Sequence, residues 1–181
     1  MKIRRVVTAH STDGKSVVAS DESLDPMTLA LMPGLELYQF WGDDAVPTLP
    51  VDGSPRRLPT YFPPAGGFRF ALATIPPDSV TPAVPVDMDA AVREAQEKVP
   101  DLLTLMEPDH PGMHTTDTVD FEYIVSGEVW LELDDGVEVH LRAGDTVVQN
   151  GTRHAWHNRS SEPCRMISIL IGARRIRSQQ P

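Results

Sequence analysis

Residues 112–158, GMHTTDTVDFEYIVSGEVWLELDDGVEVHLRAGDTVVQNGTRHAWHN, decide the fold of this chain. They lie within a proline-free window, residues 112–162, although the 181-residue chain contains 17 prolines. Because proline removes a backbone donor, such a window favours uninterrupted strands or helices. Apolar and polar residues alternate through much of it, as they do in strands that bury one face. Several short strands separated by glycine turns predict an antiparallel sandwich or small barrel.

The clearest alternation flanks the turn sequence Asp-Asp-Gly at residues 134–136. A three-residue loop with its glycine in the left-handed region sets Leu133 opposite Val137 and leaves the apolar residues of both strands on one face. A two-residue loop would mix the two faces, so it is disfavoured. The same register sets His140 opposite Trp130 on the outward face, and we therefore expect His140 to be a surface residue.

The segments around this window predict a single domain with additions at both ends. Residues 67–172 are expected to form the barrel, which begins with a strand at 67–75 and is interrupted by a helical insertion at 87–106. Residues 1–66 contain a predicted hairpin and a proline-rich, mostly irregular excursion, and we expect them to form a β extension that packs on the barrel. Residues 173–181 are expected to be a C-terminal tail.

Composition and charge argue against several functional classes. A net charge of −10 and a pI near 4.9 disfavour a nucleic-acid surface, which needs clustered Lys and Arg. No apolar run approaches the length of a membrane span. The basic start of the chain is not followed by an apolar signal segment, and the one cysteine cannot form an intrachain disulfide. The expectation is a cytoplasmic protein that binds neither nucleic acid nor membrane.

Four titratable residues of the strand-rich window form the candidate site. Asp120 and Glu122 lie on one face of a predicted strand, which is unusual in a β-rich domain unless that face is exposed to solvent. His114 precedes this strand, and a later segment with two glycines delivers His154 close to Trp156. Imidazoles and carboxylates gathered in this way suit metal binding or acid and base chemistry.

The window resembles a cupin domain in two ordered motifs. The family patterns are G-x5-H-x-H-x3,4-E-x6-G and G-x5-P-x-G-x2-H-x3-N. The residues of this chain that fall on motif positions are, in chain order, His114, Thr116, Asp120, Gly127, Gly144, Gly151, His154 and Asn158. Together with the strand before the window, the resemblance covers residues 67–172. It implies an all-β fold, the antiparallel double-stranded β-helix (jelly-roll barrel) of small, single-domain, cupin_2-like proteins, with the N-terminal β extension and the short helical insertion.

Departures from the motifs narrow the metal site that the resemblance implies. Thr116 replaces the second histidine, Asp120 replaces the glutamate, and Asn150 replaces the proline. A site of three histidines and one glutamate is therefore excluded. The resemblance implies one divalent metal ion held by His114, Asp120 and His154, with Zn or Fe(II) favoured and Mn or Ni as alternatives.

Other polar residues of the barrel are candidates for the catalytic base and for the substrate pocket. Glu122, in phase with Asp120, is expected to point into the barrel as the catalytic base or, alternatively, to replace Asp120 as the carboxylate ligand. Arg69 alternates with two phenylalanines and is expected to point outward into solvent or, alternatively, to meet an anionic substrate if that side of the strand faces the cavity. The expected substrate pocket residues are Gln149, Trp156 and Thr116.

Three functional hypotheses follow from these residues and from the resemblance. The first is a metal-dependent cupin enzyme acting on a small oxygenated molecule, a hydroxy-carbonyl compound or carboxylic acid, by non-redox lyase, dehydratase or isomerase chemistry. The second is a non-haem Fe(II) dioxygenase, and the third is a non-catalytic cupin that binds a small molecule. The presence of two carboxylates, where an oxygenase needs one, favours the first. The resemblance also implies a homodimer, in which the N-terminal hairpin is the natural element to pair.

Overall fold

Strands dominate the part of the chain that the computed structural model describes, residues 2–81 and 86–176. In chain order they are β1 (Ile3–His10), β2 (Ser16–Leu24), β3 (Met27–Leu29), β4 (Met32–Asp43), β5 (Phe68–Ile75), β6 (Thr118–Ser126), β7 (Glu128–Glu132), β8 (Glu138–Arg142), β9 (Thr146–Gln149), β10 (Ala155–His157) and β11 (Cys164–Gly172). The helices are α1 (Met88–Lys98) and α2 (Leu102–Leu105), and a 3-10 turn covers Asp134–Gly136. The predicted all-β fold with a short helical insertion is confirmed.

The strands assemble into antiparallel sheets in two facing layers. The larger sheet has the order β3-β4-β5-β11-β6-β9, the smaller has the order β10-β7-β8, and β1 pairs with β2. Between the two layers lies an apolar core built from both, consisting of Ile124, Val129, Leu131, Leu141, Cys164 and Met166. Apolar side chains from each inner face interdigitate there, which is how two sheets hold together. This is the jelly-roll arrangement that the sequence predicted.

The β7–β8 hairpin has the predicted register. Trp130 pairs with His140, and the Leu133 amide donates to the Val137 carbonyl at 2.8 Å. The loop glycine, Gly136, has a φ of 70°, the left-handed conformation that a three-residue loop requires. On the outward face the rings of Trp130 and His140 stack with centroids 4.1 Å apart.

Strand β6 inverts the usual distribution of polar and apolar residues. Its inward positions include the buried Asp120 and Glu122, whereas its outward positions include Phe121 and Tyr123, which are 44% and 45% exposed. The alternative in which the carboxylate face meets solvent is therefore wrong. Burying two carboxylates is unfavourable without compensation, so this face is either balanced by partners or used for function.

The helical insertion lies against the larger sheet. Asp87 caps α1 by accepting a hydrogen bond from the Ala90 amide, and Ala91 and Ala95 form its buried side. The insertion shares a core cluster with β3 and β4, whose buried members are Leu29, Leu37, Ala95, Val99 and Leu102. This packing places α2 at one end of the space between the sheets.

The N-terminal hairpin of β1 and β2 packs on the outer face of the larger sheet. Ile3 and Leu24 contact a cluster on that face formed by Tyr38, Phe40 and Leu72. Within the described residues its two strands pair only with each other. The hairpin therefore covers the β4 and β5 side of the outer face and leaves the β6 side uncovered.

Arg69 is buried, so the expectation that it points into solvent is wrong. Its side chain is 1% exposed and forms an ion pair with Asp44, whose Oδ1 lies 2.6 Å from Nη2. The guanidinium also donates to four backbone carbonyls, those of Asp43, Thr60, Tyr61 and Phe68. The physical reason is that residues 43–62 fold back over β5 and offer these acceptors, which alternation within β5 cannot reveal. Arg69 thereby fixes the irregular excursion to the barrel.

Candidate functional site

A cavity of about 370 Å³ lies between the inner face of the larger sheet, β10 and the helical insertion. Its volume is in the range of small-molecule sites. Its polar lining residues include His114, Asp120, Glu122, His154 and Ser168. Its apolar and aromatic walls include Met32, Leu35, Leu37, Tyr61, Phe62, Leu102, Met106, Trp156, Met166 and Leu170. All four titratable residues predicted from the sequence therefore line one cavity.

The two histidines are held together by their own backbones. The His114 amide donates to the His154 carbonyl and the His154 amide donates to the His114 carbonyl, each at 2.9 Å. This reciprocal bridge sets the ring centroids 4.3 Å apart. Gly151, with a φ of 60°, allows the His154 segment to approach, because a Cβ there would lie 2.9 Å from the Thr116 carbonyl oxygen. The separation of the imidazoles is thus fixed by the main chain.

Each imidazole presents the same nitrogen to the backbone. Nδ1 of His114 lies 2.9 Å from the Gly112 carbonyl oxygen, and Nδ1 of His154 lies 2.8 Å from that of Thr152. A carbonyl only accepts, so Nδ1 must donate and Nε2 keeps its lone pair in the neutral ring. Burial lowers the pKa of both, that of His154 to about 4, with the charge of His114 as a further cause. Both rings are therefore neutral near pH 7 and able to act as ligands.

The two carboxylates differ in their partners. Ser168 Oγ donates to Glu122 Oε2 at 2.5 Å, whereas buried Asp120 Oδ1 accepts no hydrogen bond from the described residues. Burial raises the pKa of Asp120 to about 6, and Thr118 opposes the rise. Burial also raises the pKa of Glu122 to about 8, where Ser168 opposes the rise and the charge of Asp120 adds to it.

The donor chemistry fits a divalent metal ion. Two neutral imidazoles with free Nε2 atoms and one orphaned carboxylate oxygen match the ligand types of Zn and Fe(II) sites. Within the described residues, however, no group of three or more His, Cys, Asp or Glu side chains is drawn together closely enough to hold a metal ion. The structure therefore draws the two histidines together and leaves Asp120 and Glu122 as candidates for a carboxylate ligand.

The predicted pocket residues have different surroundings. Trp156 lines the cavity and meets the His154 ring edge to face, with centroids 5.9 Å apart. Gln149 and Thr116 are buried, but neither is among the described residues that line the cavity. The Gln149 amide donates to the Thr152 carbonyl, the acceptor that also orients His154, and Thr116 Oγ1 accepts from Thr118. Both therefore lie behind the site.

A cation from the C-terminal segment joins the two segments that carry the histidines. Arg175 Nη2 donates to the Thr116 carbonyl at 2.7 Å and to the Gly151 carbonyl at 2.8 Å. Its Nε donates to Asp117 Oδ1 at 2.5 Å. The sequence places Arg175 in the C-terminal tail, and the structure gives it a bridging position there.

Sequence reasoning missed several residues of the cavity. Ser168 could have been found from the sequence, since it is the polar residue among the inward positions of β11, whose other inward residues are apolar. Tyr61 and Phe62 had none, because they come from the irregular excursion and reach the cavity through packing alone. Burial raises the pKa of Tyr61 to about 12, with the charge of Glu122 as a second cause.

Comparison with known proteins finds similarity over part of this chain. The Cupin domain family model matches residues 102–170, which lie within the segment of sequence resemblance, residues 67–172. It is similar to phomopsin biosynthesis cluster protein C' of Diaporthe leptostromiformis, with 40% identity over 65 residues that cover 35% of this chain and 34% of that protein. It is also similar to the cupin-domain-containing oxidoreductase virC of Hypocrea virens, with 34% identity over 67 residues covering 35% and 34%.

The chain spans about a third of the length of these curated relatives. Among solved structures, a Cupin 2 conserved barrel domain protein from Salinispora arenicola aligns over 85% of this chain and 92% of that chain, with 17% identity and a TM-score of 0.44. In the described ranges, no helix has both the length and the apolar character needed to cross a membrane.

Proposed function

We propose that this protein is a metal-dependent cupin enzyme that transforms a small oxygenated molecule by non-redox chemistry, as a lyase, dehydratase or isomerase. One observation carries the proposal: two neutral imidazoles with free Nε2 atoms, an orphaned Asp120 oxygen and a separately held Glu122 line the same cavity. A module that only bound an apolar ligand would not need buried carboxylates there.

The ligands of the proposed metal are His114, Asp120 and His154. When bound, the ion supplies electrophilic stabilisation of negative charge on a substrate oxygen. Zn and Fe(II) are the favoured ions, with Mn and Ni as alternatives. The hydrogen bonds from Nδ1 of both rings to backbone carbonyls hold the imidazoles in the tautomer that leaves Nε2 available.

Glu122 is the proton-transferring group in this proposal. The hydrogen bond from Ser168 fixes its carboxyl group through Oε2 and leaves Oε1 to exchange a proton with a substrate carbon or oxygen. The aromatic and aliphatic walls, including Tyr61, Phe62 and Trp156, exclude water from the reacting atoms and strengthen each polar contact there. Glu122 thus has both a fixed position and a dry environment.

A non-haem Fe(II) dioxygenase is the second candidate function. It is favoured by the similarity to a fungal protein named as an oxidoreductase. The same two histidines and Asp120 would serve it, whereas Glu122 would have no necessary chemical role. The two candidates therefore differ in their dependence on Glu122 and on oxygen.

Metal content is the first test. Protein purified without chelator is expected to carry one divalent ion per chain by elemental mass spectrometry. The metal content of His154→Ala should be at least about 10-fold lower than that of wild type, because removing one of three ligands weakens metal binding strongly. His140→Ala is the matched control, because His140 lies on the outer face against Trp130. Metal-free wild type whose thermal stability is unaffected by chelator would refute the proposal.

Proton exchange is the second test. The probe is α-hydroxyacetophenone, in which the hydroxyl group is on the carbon next to the carbonyl. The metal-loaded protein should accelerate exchange of the hydrogens next to the carbonyl with deuterated water, followed by NMR. Glu122→Gln should retain metal and slow this exchange about 100-fold, the usual contribution of a general base. Glu132→Gln is the control, since Glu132 contacts His157 away from the cavity. Oxygen uptake dependent on the probe, together with bound iron, would favour the dioxygenase.

A further inference from the structure

Tyr61 brings a phenol hydroxyl to the cavity wall. The residue belongs to the irregular excursion between β4 and β5, it is half-buried, and it lines the cavity together with Glu122 and the two histidines. Among the described residues, none forms a hydrogen bond with the Tyr61 hydroxyl. A hydroxyl group is both a donor and an acceptor, and a donor without a protein partner is free to bond to a ligand.

The Tyr61 hydroxyl lies within electrostatic reach of Glu122. Burial raises the pKa of Tyr61 to about 12, and the charge of Glu122 is the second cause. The phenol and the carboxyl group therefore border the same part of the cavity. Near neutral pH the hydroxyl keeps its proton, so it is a neutral donor that needs no charge on Glu122 in order to act.

The main chain holds Tyr61 in place from both sides. Its amide donates to the Pro100 carbonyl at 2.9 Å, and its own carbonyl accepts from Nε of the buried Arg69 at 3.2 Å. Its ring meets Phe62 edge to face, with centroids 5.1 Å apart, and packs against the core cluster of the helical insertion. A side chain anchored in this way loses little freedom when a ligand binds, which favours a hydrogen bond to that ligand.

We propose that the Tyr61 hydroxyl donates a hydrogen bond to a carbonyl oxygen of the substrate, which is a ketone or an aldehyde. The assignment rests on the proposed function and narrows its substrate class. A carbonyl oxygen only accepts hydrogen bonds, so it matches a donor that has no partner. The hydrogens next to a ketone or aldehyde are also far more acidic than those next to a carboxylate, which suits proton exchange by Glu122.

This hydrogen bond matters most when the substrate loses a proton. The C–H bond next to the carbonyl breaks, its proton passes to the ionised form of Glu122, and its electron pair moves onto the carbonyl oxygen. The developing negative charge strengthens the hydrogen bond from Tyr61, which keeps its own proton because its pKa is far above that of Glu122. Being neutral, the phenol is compatible with a divalent ion in the same cavity. Tyr61 is thus a catalytic residue for the proposed reaction.

Two probes that differ only in the oxygen test the hydrogen bond: acetophenone and α-methylstyrene, in which a methylene group replaces the carbonyl oxygen. Both are titrated by ligand-observed NMR into the protein as purified and after chelation. Tyr61→Phe should weaken acetophenone binding about 5-fold, through the loss of one hydrogen bond, and leave α-methylstyrene binding unchanged. Tyr123→Phe is the matched control, because Tyr123 is 45% exposed on the outward face of β6.

Infrared spectroscopy gives a readout that altered packing would not move. The carbonyl stretch of bound acetophenone should lie at lower frequency in wild type than in Tyr61→Phe, because a hydrogen bond weakens the C=O bond. Unchanged affinity and frequency in Tyr61→Phe overturn the proposal, as does an equal loss of affinity for both probes or no binding of acetophenone. If Tyr61→Phe does not fold, a wild-type frequency equal to that of acetophenone in a hydrocarbon solvent overturns it equally.

Proton exchange tests the catalytic role. Tyr61→Phe should slow exchange of saturating α-hydroxyacetophenone at least about 10-fold at unchanged metal content, because a donor to the developing oxyanion acts mainly on turnover. Tyr123→Phe should exchange the probe at the wild-type rate. An unchanged rate in Tyr61→Phe contradicts the catalytic role.

The outcomes distinguish the role of Tyr61 from the proposed function. A metal-free wild type that does not exchange the probe, but whose preference for acetophenone depends on Tyr61, refutes the metal-dependent enzyme and supports the hydrogen bond. A metal-loaded wild type that exchanges the probe no faster than Tyr61→Phe supports the enzyme and refutes the role of Tyr61.

Discussion

Replacement of Arg69 by alanine should destabilise the protein more than any ordinary surface substitution. The guanidinium donates to four carbonyls at 2.9 to 3.2 Å and contacts Asp44 at 2.6 Å. Each of these partly buried carbonyls costs about 1 kcal/mol when it is left without a donor, so four cost about 4 kcal/mol. We give the Asp44 pair little weight, because that carboxylate is partly exposed and solvent screens it.

Urea unfolding followed by tryptophan fluorescence measures this loss. Arg69→Ala is expected to lower the free energy of unfolding by about 4 kcal/mol, and Arg69→Lys by less, because an ammonium keeps up to three of the donors. Arg56→Ala is the matched control, since Arg56 is exposed and lies 3.6 Å from Asp43. It should change stability by no more than about 0.5 kcal/mol.

The same substitution should reach the cavity. Two of the carbonyls held by Arg69 belong to Thr60 and Tyr61, next to the aromatic wall. Phenylbutanol is a suitable probe, because its ring can lie against this wall. Measured by calorimetry, it should bind more weakly to a folded Arg69→Ala protein than to Arg56→Ala. A loss of stability below about 1 kcal/mol would refute the reasoning, since it would show that water or a rearranged backbone satisfies these carbonyls at little cost.

Two further predictions concern the barrel itself. Gly127→Ala should cost at least about 2 kcal/mol more than Gly136→Ala, because both glycines have positive φ but a Cβ at Gly127 would lie 2.6 Å from the Pro163 carbonyl oxygen, whereas Gly136 faces open space. Equal losses in urea titrations would show that conformation alone matters. Cys164 is buried, and burial raises the pKa of its thiol to about 11. At pH 8 the Cys164 thiol should react with dithiobis(nitrobenzoate) at least about 100-fold more slowly in native than in urea-unfolded protein. The rate in the native protein should rise with pH as the thiolate forms. Rapid labelling of the native protein at pH 8 would contradict this prediction.

The parts of the fold that local patterning determines were predictable. The β7–β8 register followed from alternation and the turn residues, and the helical insertion followed from its alanines and the stop at Pro100. Strand β10 was not predicted, because three residues give no measurable alternation. Arg69 and the aromatic wall were missed for a different reason: their environment is made by residues 43–62, whose path depends on tertiary packing.

The candidate site was predictable in composition and only partly in geometry. His114 and His154 come together because the two motif segments pair in an antiparallel bridge, and the motif spacing indicated that these segments meet. The roles of Asp120 and Glu122 could not be separated, since alternation places both on one face of β6. Their difference arises from Ser168 on a neighbouring strand, which pairs with Glu122 in the sheet register.

The backbone bridge between His114 and His154 also bears on how this site can change its chemistry. Because main-chain atoms make the bridge, either side chain can be exchanged without removing the hydrogen bonds that hold the two positions side by side. The side chains at these two positions can therefore vary while the barrel stays intact. A barrel whose main chain fixes two ligand positions in this way can acquire a new ligand set by single replacements of those two side chains.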